Sequence, residues 1–145
     1  MENKDAKEIL GRYSRLRRRN NDLIETFIRN GAAEDRVERK AAKIETLLRE
    51  EREAGLLVLA VLDQIRDAEE RRILELRFFY DWGIKRISRE LYGARKDYQK
   101  HAEEYRAKMC RRLGYALLSA ADVMRRNGLD ELRQDEEDPE ENPEE

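Results

Sequence analysis

Apolar residues in the first half of the chain recur at alternating spacings of four and three residues. Such spacing keeps each series on one face of an α-helix, whereas a strand would need alternation by two. Asn30-Gly31 stands between the two series as a helix stop. We therefore expect helices over residues 3–30 and about 34–65 that pack as an antiparallel hairpin. The first series is Ile9, Tyr13, Leu16, Asn20, Leu23 and Phe27; the second is Val37, Ala41, Ile44, Leu48, Glu51, Gly55, Val58, Leu62 and Ile65.

Several hairpin positions allow two interpretations. Asn20 either fixes the register or the oligomeric state of the helices or faces solvent. Gly55 either permits a close helix approach or marks a kink. A basic cluster on the first helix either touches phosphates or is a solvated face with intrahelical glutamate partners; its members are Arg15, Arg17, Arg18 and Arg19. Truncation of a buried leucine to Ala should lower the free energy of unfolding by ~2–5 kcal/mol. The residues expected to be buried are Leu16, Leu23, Ile44 and Leu48.

A third helix is predicted to follow Asp67. Asp67 is a candidate N-cap, and Glu70 is its expected capping-box partner. The helix should end near Asp81-Trp82-Gly83, since glycine commonly follows a helix C-terminus. Its apolar face, at helical spacing, is Ile73, Leu76, Phe79 and Tyr80.

A short helix and a long helix come next, with Gly93 between them. We expect Gly93 to take the left-handed conformation of a tight turn, and the long helix to cover 94–126. This order is the layout of a helix-turn-helix, whose second helix can lie in the DNA major groove. The short helix has one apolar stripe, Ile84, Ile87 and Leu91. The inward positions of the long helix are Tyr98, Ala102, Tyr105 and Met109, followed by Leu113, Ala116, Leu117, Ala120, Val123 and Met124.

The formal net charge of −2 hides an uneven distribution along the chain. Residues 1–81 carry 18 basic and 18 acidic side chains, residues 82–129 carry 12 and 5, and residues 130–145 carry 1 and 10. The three segments therefore have net charges of 0, +7 and −9. The positive segment is also the one with the helix–Gly–helix spacing, where a DNA-binding surface needs cations.

The candidate DNA-binding residues lie in this positive segment. Cations on the short helix are expected on phosphates, and those at the start of the long helix on base edges. Arginine and lysine can pair with guanine, and glutamine with adenine. An ordinary solvated surface, in a chain with 44% charged residues, would show the same residue types. The candidates are Lys85, Arg86, Arg89, Arg95, Lys96, Gln99, Lys100 and Arg106.

Residues 62–113 resemble the C-terminal part of phage-encoded regulators that are similar to region four of sigma factors, including late-transcription activators of the RinA and ArpU type. With the hairpin, the resemblance covers about four-fifths of the chain. It implies a phage-type regulator that binds double-stranded DNA and RNA polymerase. Residues 94–97 lack the Ser/Thr N-cap with which the family begins the helix after the turn. Asp97 is therefore a candidate N-cap of the long helix. The resemblance rests on Asp67–Arg72, Phe78–Tyr80, Ile87-Ser88 and Leu91-Tyr92-Gly93, where Tyr92 is an extra residue.

The chain lacks the sequence patterns of an enzyme, a metalloprotein or a membrane protein. It has neither a glycine-rich phosphate loop nor a serine nucleophile motif, and His101 is its single histidine. With Cys110 as the single cysteine, neither an internal disulfide nor a cysteine-based metal site is expected. The apolar run Leu56–Leu62 is far shorter than the ~20 residues that span a bilayer. We expect a protein without catalytic activity, cofactor or metal, in the cytoplasm of a bacterial host cell.

These patterns predict an all-α protein in three parts. A helical hairpin for interaction or oligomerisation covers 1–66, a helix-turn-helix domain covers 67–129, and a disordered acidic tail covers 130–145. The favoured function is sequence-specific, DNA-binding transcription regulation, with self-association through the hairpin left open. One alternative is a DNA-packaging recognition subunit similar to small terminases, which would form a large ring. Another is a coiled-coil adaptor that does not bind DNA.

Overall fold

The computed structural model describes residues 2–31 and 34–129, except for the side chains of Glu34 and Asp35. This part of the chain is all-α and contains no strand, as predicted. The helices are α1 (Asn3–Asn30), α2 (Glu34–Asp63), α3 (Ala68–Leu74), α4 (Ile84–Tyr92) and α5 (Ala102–Arg126). A π-helical turn, Glu75–Phe79, continues α3. The predicted acidic tail lies outside the described residues.

Helices α1 and α2 form the predicted hairpin, and two of the open interpretations are resolved. Asn20 is only 1% exposed, and its amide donates hydrogen bonds to the Leu47 carbonyl oxygen (2.9 Å) and to the Glu51 carboxylate (3.1 Å). It therefore fixes the register of the hairpin. At Gly55 a Cβ atom would lie 2.8 Å from the ring of Tyr13. Gly55 thus permits a close helix approach, and α2 continues through it without a break.

The hairpin is buried over only part of its length, so the prediction for its leucines is partly wrong. Leu16 is buried and Ile44 is half-buried, but Leu23 is 43% exposed and Leu48 is 40% exposed. One reason is that Leu47, rather than Leu48, lines a groove together with Leu23 and Phe27 of α1. The other is that α3 and α5, which pack against the hairpin, cover only the half that contains the start of α1 and the end of α2.

Two hydrophobic clusters hold the helices together. The first, which we call the hairpin core, joins the start of α1, the end of α2 and the C-terminal half of α5. The second, which we call the α4–α5 core, lies beneath α4. Helix α3 and its π-helical turn lie between the two clusters. Leu74 and Phe78 belong to the hairpin core, and Ile73 and Leu76 belong to the α4–α5 core. The buried members of the hairpin core are Ala6, Ile9, Leu10, Val58, Val61, Leu62, Ile65, Leu74, Phe78, Ala116, Leu117, Ala120, Ala121, Val123 and Met124. Those of the α4–α5 core are Ile73, Leu76, Ile87, Tyr92, Tyr98 and Met109.

The π-helical turn changes the predicted apolar face of the third helix. Tyr80, placed on that face by the 3.6-residue period, is 51% exposed, whereas Phe78 is buried. The wider turn rotates the residues that follow it relative to a regular α-helix. The helix ends within the predicted segment Asp81-Trp82-Gly83, although the left-handed residue there is Asp81, with φ of 62°, and not the glycine. The Trp82 amide donates to the Leu76 carbonyl oxygen at 2.8 Å and closes this end.

Side chains from α1 bind the end of the π-helical turn. Ser14 donates to the carbonyl oxygen of Phe78 (3.2 Å) and Arg17 to that of Phe79 (3.1 Å). Arg18 forms an ion pair with Asp81. Intrahelical glutamate partners were therefore the wrong expectation for these arginines, which join the hairpin to the segment that leads into α4.

Asp67 is the N-cap of α3, as predicted. Its carboxylate accepts a 2.9 Å hydrogen bond from the backbone amide of Glu70. That bond lowers the pKa of Asp67, and Arg112 of α5 lowers it further. The capping box was wrong, because the Glu70 carboxylate instead accepts a 2.6 Å hydrogen bond from Ser119. The start of α3 is thereby fastened to α5.

Candidate nucleic-acid interface

Helix α4 presents its basic side chains away from the core. Ile87 is fully buried, and Ile84 and Leu91 are partly buried against the α4–α5 core. This agrees with the apolar stripe predicted from their spacing. The opposite side of the helix carries three exposed cations, Lys85, Arg86 and Arg89.

The segment after α4 is not the start of the long helix. Residues 93–101 form consecutive turns, and α5 begins at Ala102 rather than at the predicted Ala94. Backbone hydrogen bonds close these turns, for example from the Tyr98 amide to the Arg95 carbonyl oxygen at 3.0 Å. The predicted helix over 94–126 is therefore wrong in its first eight residues.

A stack of three tyrosine rings accounts for this path. The ring of Tyr105 lies between Tyr92 and Tyr98, with centroid distances of 5.3 and 5.7 Å. On one regular helix, Tyr98 and Tyr105 would be seven residues and about 10.5 Å apart along the axis. Only a non-helical path between them allows the rings to stack and Tyr98 to be buried. We call Tyr92, Tyr98 and Tyr105 the tyrosine stack.

Asp97 supports the tyrosine stack and does not cap α5. Its carboxylate accepts a 2.8 Å hydrogen bond from the Tyr105 hydroxyl. This bond raises the pKa of Tyr105. His101 occupies the position before α5, without a side-chain hydrogen bond to the helix backbone. The N-cap interpretation of Asp97 is therefore wrong.

Gly93 is needed for a close approach and not for a left-handed turn. Its φ is −65°, which any residue can adopt. A Cβ atom there, however, would lie 2.3 Å from the carbonyl oxygen of Arg89. The Gly93 amide donates a hydrogen bond of 2.8 Å to the same oxygen. The expected φ was wrong, although the position still requires glycine.

Two exposed arginines, one on α4 and one in the turns that follow it, lie over aromatic rings. The Arg86 guanidinium is 3.7 Å from the ring centroid of Trp82. That of Arg95 is 5.5 Å from the centroid of Tyr92 and 5.7 Å from that of Tyr105. Cation–π contacts of this kind restrict an arginine to a defined position while it keeps its charge. Both arginines therefore have an aromatic surface that favours one position of the guanidinium.

Lys108 is a cation near this site that the sequence prediction missed. Its ammonium lies 5.0 Å from the ring centroid of Tyr92. The available signal was its position three residues after Tyr105, which places both on one side of α5.

Six exposed cations form what we call the basic surface: Lys85, Arg86, Arg89, Arg95, Lys96 and Lys100. Within residues 2–31 and 34–129, none of them forms an ion pair with a carboxylate. The two acidic residues of segment 82–101 are engaged, since Glu90 lies 3.7 Å from Arg72 and Asp97 binds Tyr105. Six cations and two carboxylates give this segment a net charge of +4. Gln99 is also exposed among them.

The first turn of α5 is acidic, which the sequence interpretation did not weigh. The side chains of Glu103 and Glu104 are 92% and 76% exposed. Arg106, a predicted DNA contact, lies 3.5 Å from Glu103 and is only partly exposed. Its Nε atom is buried and has no hydrogen-bond partner in the described chain. Arg106 therefore differs from the six cations of the basic surface.

His101 adds a titratable group beside the basic surface. Its Nδ1 atom lies 2.9 Å from the Glu104 carboxylate. This hydrogen bond raises the pKa of His101. Protonation would place one more positive charge next to Lys100.

No protein-family model matches the chain, and comparison with curated proteins and with solved structures found no match. In the part of the chain that the structure describes, no helix is long and apolar enough to cross a membrane. The same residues contain no cluster of three His, Cys, Asp or Glu side chains suited to a metal ion.

Proposed function

We propose that this protein binds double-stranded DNA through the basic surface and acts as a sequence-specific transcription regulator of phage type. The observation that carries the proposal is the group of six exposed cations without carboxylate partners in the described chain. Such a group neutralises phosphates and releases condensed counterions, which is the main source of affinity for DNA. The resemblance of residues 62–113 to sigma-region-four-like regulators supports the class and suggests RNA polymerase as a partner.

Two kinds of contact divide the surface. Lys85 and Arg89 are one turn apart on α4 and are suited to successive phosphates, which position a protein on the duplex. Arg95 and Gln99 lie in the turns between α4 and α5 and are suited to base edges in the major groove. Since Glu103 and Glu104 project from the start of α5, the turns rather than that helix N-terminus approach the bases.

The test of DNA binding is a fluorescence-anisotropy titration of labelled duplex DNA at several salt concentrations. The variant Lys96→Ala/Lys100→Ala should bind all sequences more weakly. Its slope of log K against log[salt] should be shallower by about 0.9 for each phosphate that the variant no longer neutralises. The variant Arg36→Ala/Arg39→Ala is the matched control, because it removes two exposed cations from α2. Unchanged affinity and slope in the lysine variant would exclude this surface.

Sequence specificity has a separate test. Selection from random duplexes should return a preferred site, and Arg95→Ala or Gln99→Ala should weaken that preference by about 1–3 kcal/mol at the affected base. If the unmodified chain binds no duplex even at low salt, the DNA-binding regulator is excluded and the coiled-coil adaptor takes its place.

A further inference from the structure

Helix α2 carries a second apolar stripe that the described chain leaves uncovered. Its four large members are between 39% and 57% exposed, and Ala41 is exposed between them. At 100° per residue they lie within about 100° of helix surface. The face of α2 that contacts α1 is a neighbouring one, where Glu51 binds Asn20 and Gly55 lies against Tyr13. We call the uncovered residues the outer stripe: Val37, Ala41, Leu48, Leu56 and Leu59.

Two members of the outer stripe lie at equal distances from Leu48 in the sequence. Val37 lies eleven residues before it and Leu59 eleven residues after it. If two copies of α2 pack antiparallel around a two-fold axis at Leu48, Val37 of one copy meets Leu59 of the other, and Leu48 meets its own counterpart. The stripe extends over about 33 Å of helix. Leu48 and the Val37–Leu59 pair therefore meet apolar stripe residues of the second copy in this orientation.

Two charged residues within the angular range of the stripe also come close to each other in this orientation. Glu45 precedes Leu48 by three residues and Arg52 follows it by four, and both are exposed. Neither forms an ion pair within the described ranges. An antiparallel pair brings Arg52 of each copy within one residue of the position opposite Glu45 of the other, so the contact forms twice. This complementarity favours a second copy over an unrelated helix.

A groove borders the C-terminal end of the stripe. It has a volume of about 260 Å³, and its walls include Gly55, Leu56 and Leu59 of α2. Tyr13 and Phe79, stacked with a centroid distance of 5.2 Å, form the other wall. The antiparallel arrangement directs Val37 and Ala41 of the partner copy toward this groove, where their small apolar side chains fit.

We propose that two copies of this protein associate through the outer stripe, with their α2 helices antiparallel and the two-fold axis near Leu48. The association does not depend on DNA binding. It would give the assembly two basic surfaces.

Sedimentation equilibrium of the full chain tests the charge pairing. Glu45→Arg should raise the dimer dissociation constant by about tenfold, because each altered pair becomes repulsive. The double variant Glu45→Arg/Arg52→Glu should return the constant close to its original value. Glu53→Arg is the matched control, since it makes the same charge change at an exposed position outside the stripe. A monomeric or ring-forming unmodified chain, an unaffected Glu45→Arg variant or a double variant that is not restored would overturn the proposal.

Disulfide crosslinking tests the orientation. In a Cys110→Ala background, chains with Val37→Cys and chains with Leu59→Cys are oxidised separately and as a mixture. Antiparallel packing predicts crosslinked dimers only in the mixture, because a disulfide needs Cα atoms within about 7 Å. Crosslinking of each variant with itself would indicate a parallel pair, and no crosslink in the mixture would exclude this interface.

Discussion

The side-chain amide of Asn20 donates a 2.9 Å hydrogen bond to the backbone carbonyl oxygen of Leu47, across the two helices of the hairpin. A second bond from the same amide reaches Glu51, and Arg19 donates to the Asn20 oxygen at 3.2 Å. Sliding α2 along α1 would leave a buried amide without partners, which is costly. Asn20 therefore sets the register of α1 and α2 near the boundary of the hairpin core.

Asn20→Ala should lower the free energy of unfolding by about 1–3 kcal/mol, since it removes these bonds and leaves the space of the amide unfilled. Asn21→Ala is the control, because Asn21 is exposed on the same helix, and its effect should stay within about 0.5 kcal/mol. Urea unfolding followed by circular dichroism measures both. Equal stabilities of the two variants would contradict the role given to Asn20.

The two glycines in and before α5 should respond to alanine in opposite directions. At Gly93 a methyl group collides with the Arg89 carbonyl oxygen, so Gly93→Ala should destabilise the fold by about 1–3 kcal/mol. At Gly114, inside α5, a Cβ atom meets nothing within 4 Å. Gly114→Ala should therefore stabilise the protein by about 0.5–1 kcal/mol. Thermal unfolding of both variants decides the matter, and a neutral Gly93→Ala would show that the turn relaxes easily.

The pKa of His101 should lie above the ordinary value of histidine, because its hydrogen bond to Glu104 raises it. A raised folded-state pKa stabilises the fold fully below the unfolded value of about 6.5, and the effect is lost as pH rises through the folded pKa. NMR titration is unambiguous, since the chain has one histidine. Glu104→Gln should lower the His101 pKa, and an unchanged pKa in that variant would exclude the pairing.

Helical periodicity predicted the helices but not which faces are covered. Leu16 and Leu23 belong to the same heptad series, yet only Leu16 is buried, because the layer formed by α3 and α5 reaches one half of the hairpin. Local spacing carries no information about that third layer. Asp67, by contrast, was predicted correctly as a cap, since its signal lies within four residues.

At the candidate interface, residue identity was predictable and backbone path was not. The cations of α4 are exposed because Ile84, Ile87 and Leu91 fix the inner face of that helix. Ala94 to Lys96 favour helix by intrinsic propensity, but stacking of Tyr98 on Tyr105 overrides it. The stacking is a tertiary contact between residues seven apart in the sequence. Helical spacing had instead predicted that both residues share the inward face of one helix.

The acidic segment 130–145 provides the last prediction, which rests on charge alone because these residues lie outside the described part. It carries a net charge of −9 and is joined to a chain whose basic surface would bind phosphate. A tethered polyanion acts at a high local concentration and competes with DNA for the same cations. It cannot imitate base-edge contacts, so it should weaken non-specific binding more than specific binding.

Truncation after Leu129 should therefore tighten non-specific DNA binding at low salt, by about threefold to tenfold, and the difference should close as salt screens both anions. A full-length variant with amides in place of the ten carboxylates of this segment is the control for chain length. It should behave like the truncated chain, because competition depends on charge. Anisotropy titrations with a random-sequence duplex at low and high salt measure the effect. Equal affinities of all three proteins at low salt would mean that the acidic segment does not compete for the basic surface.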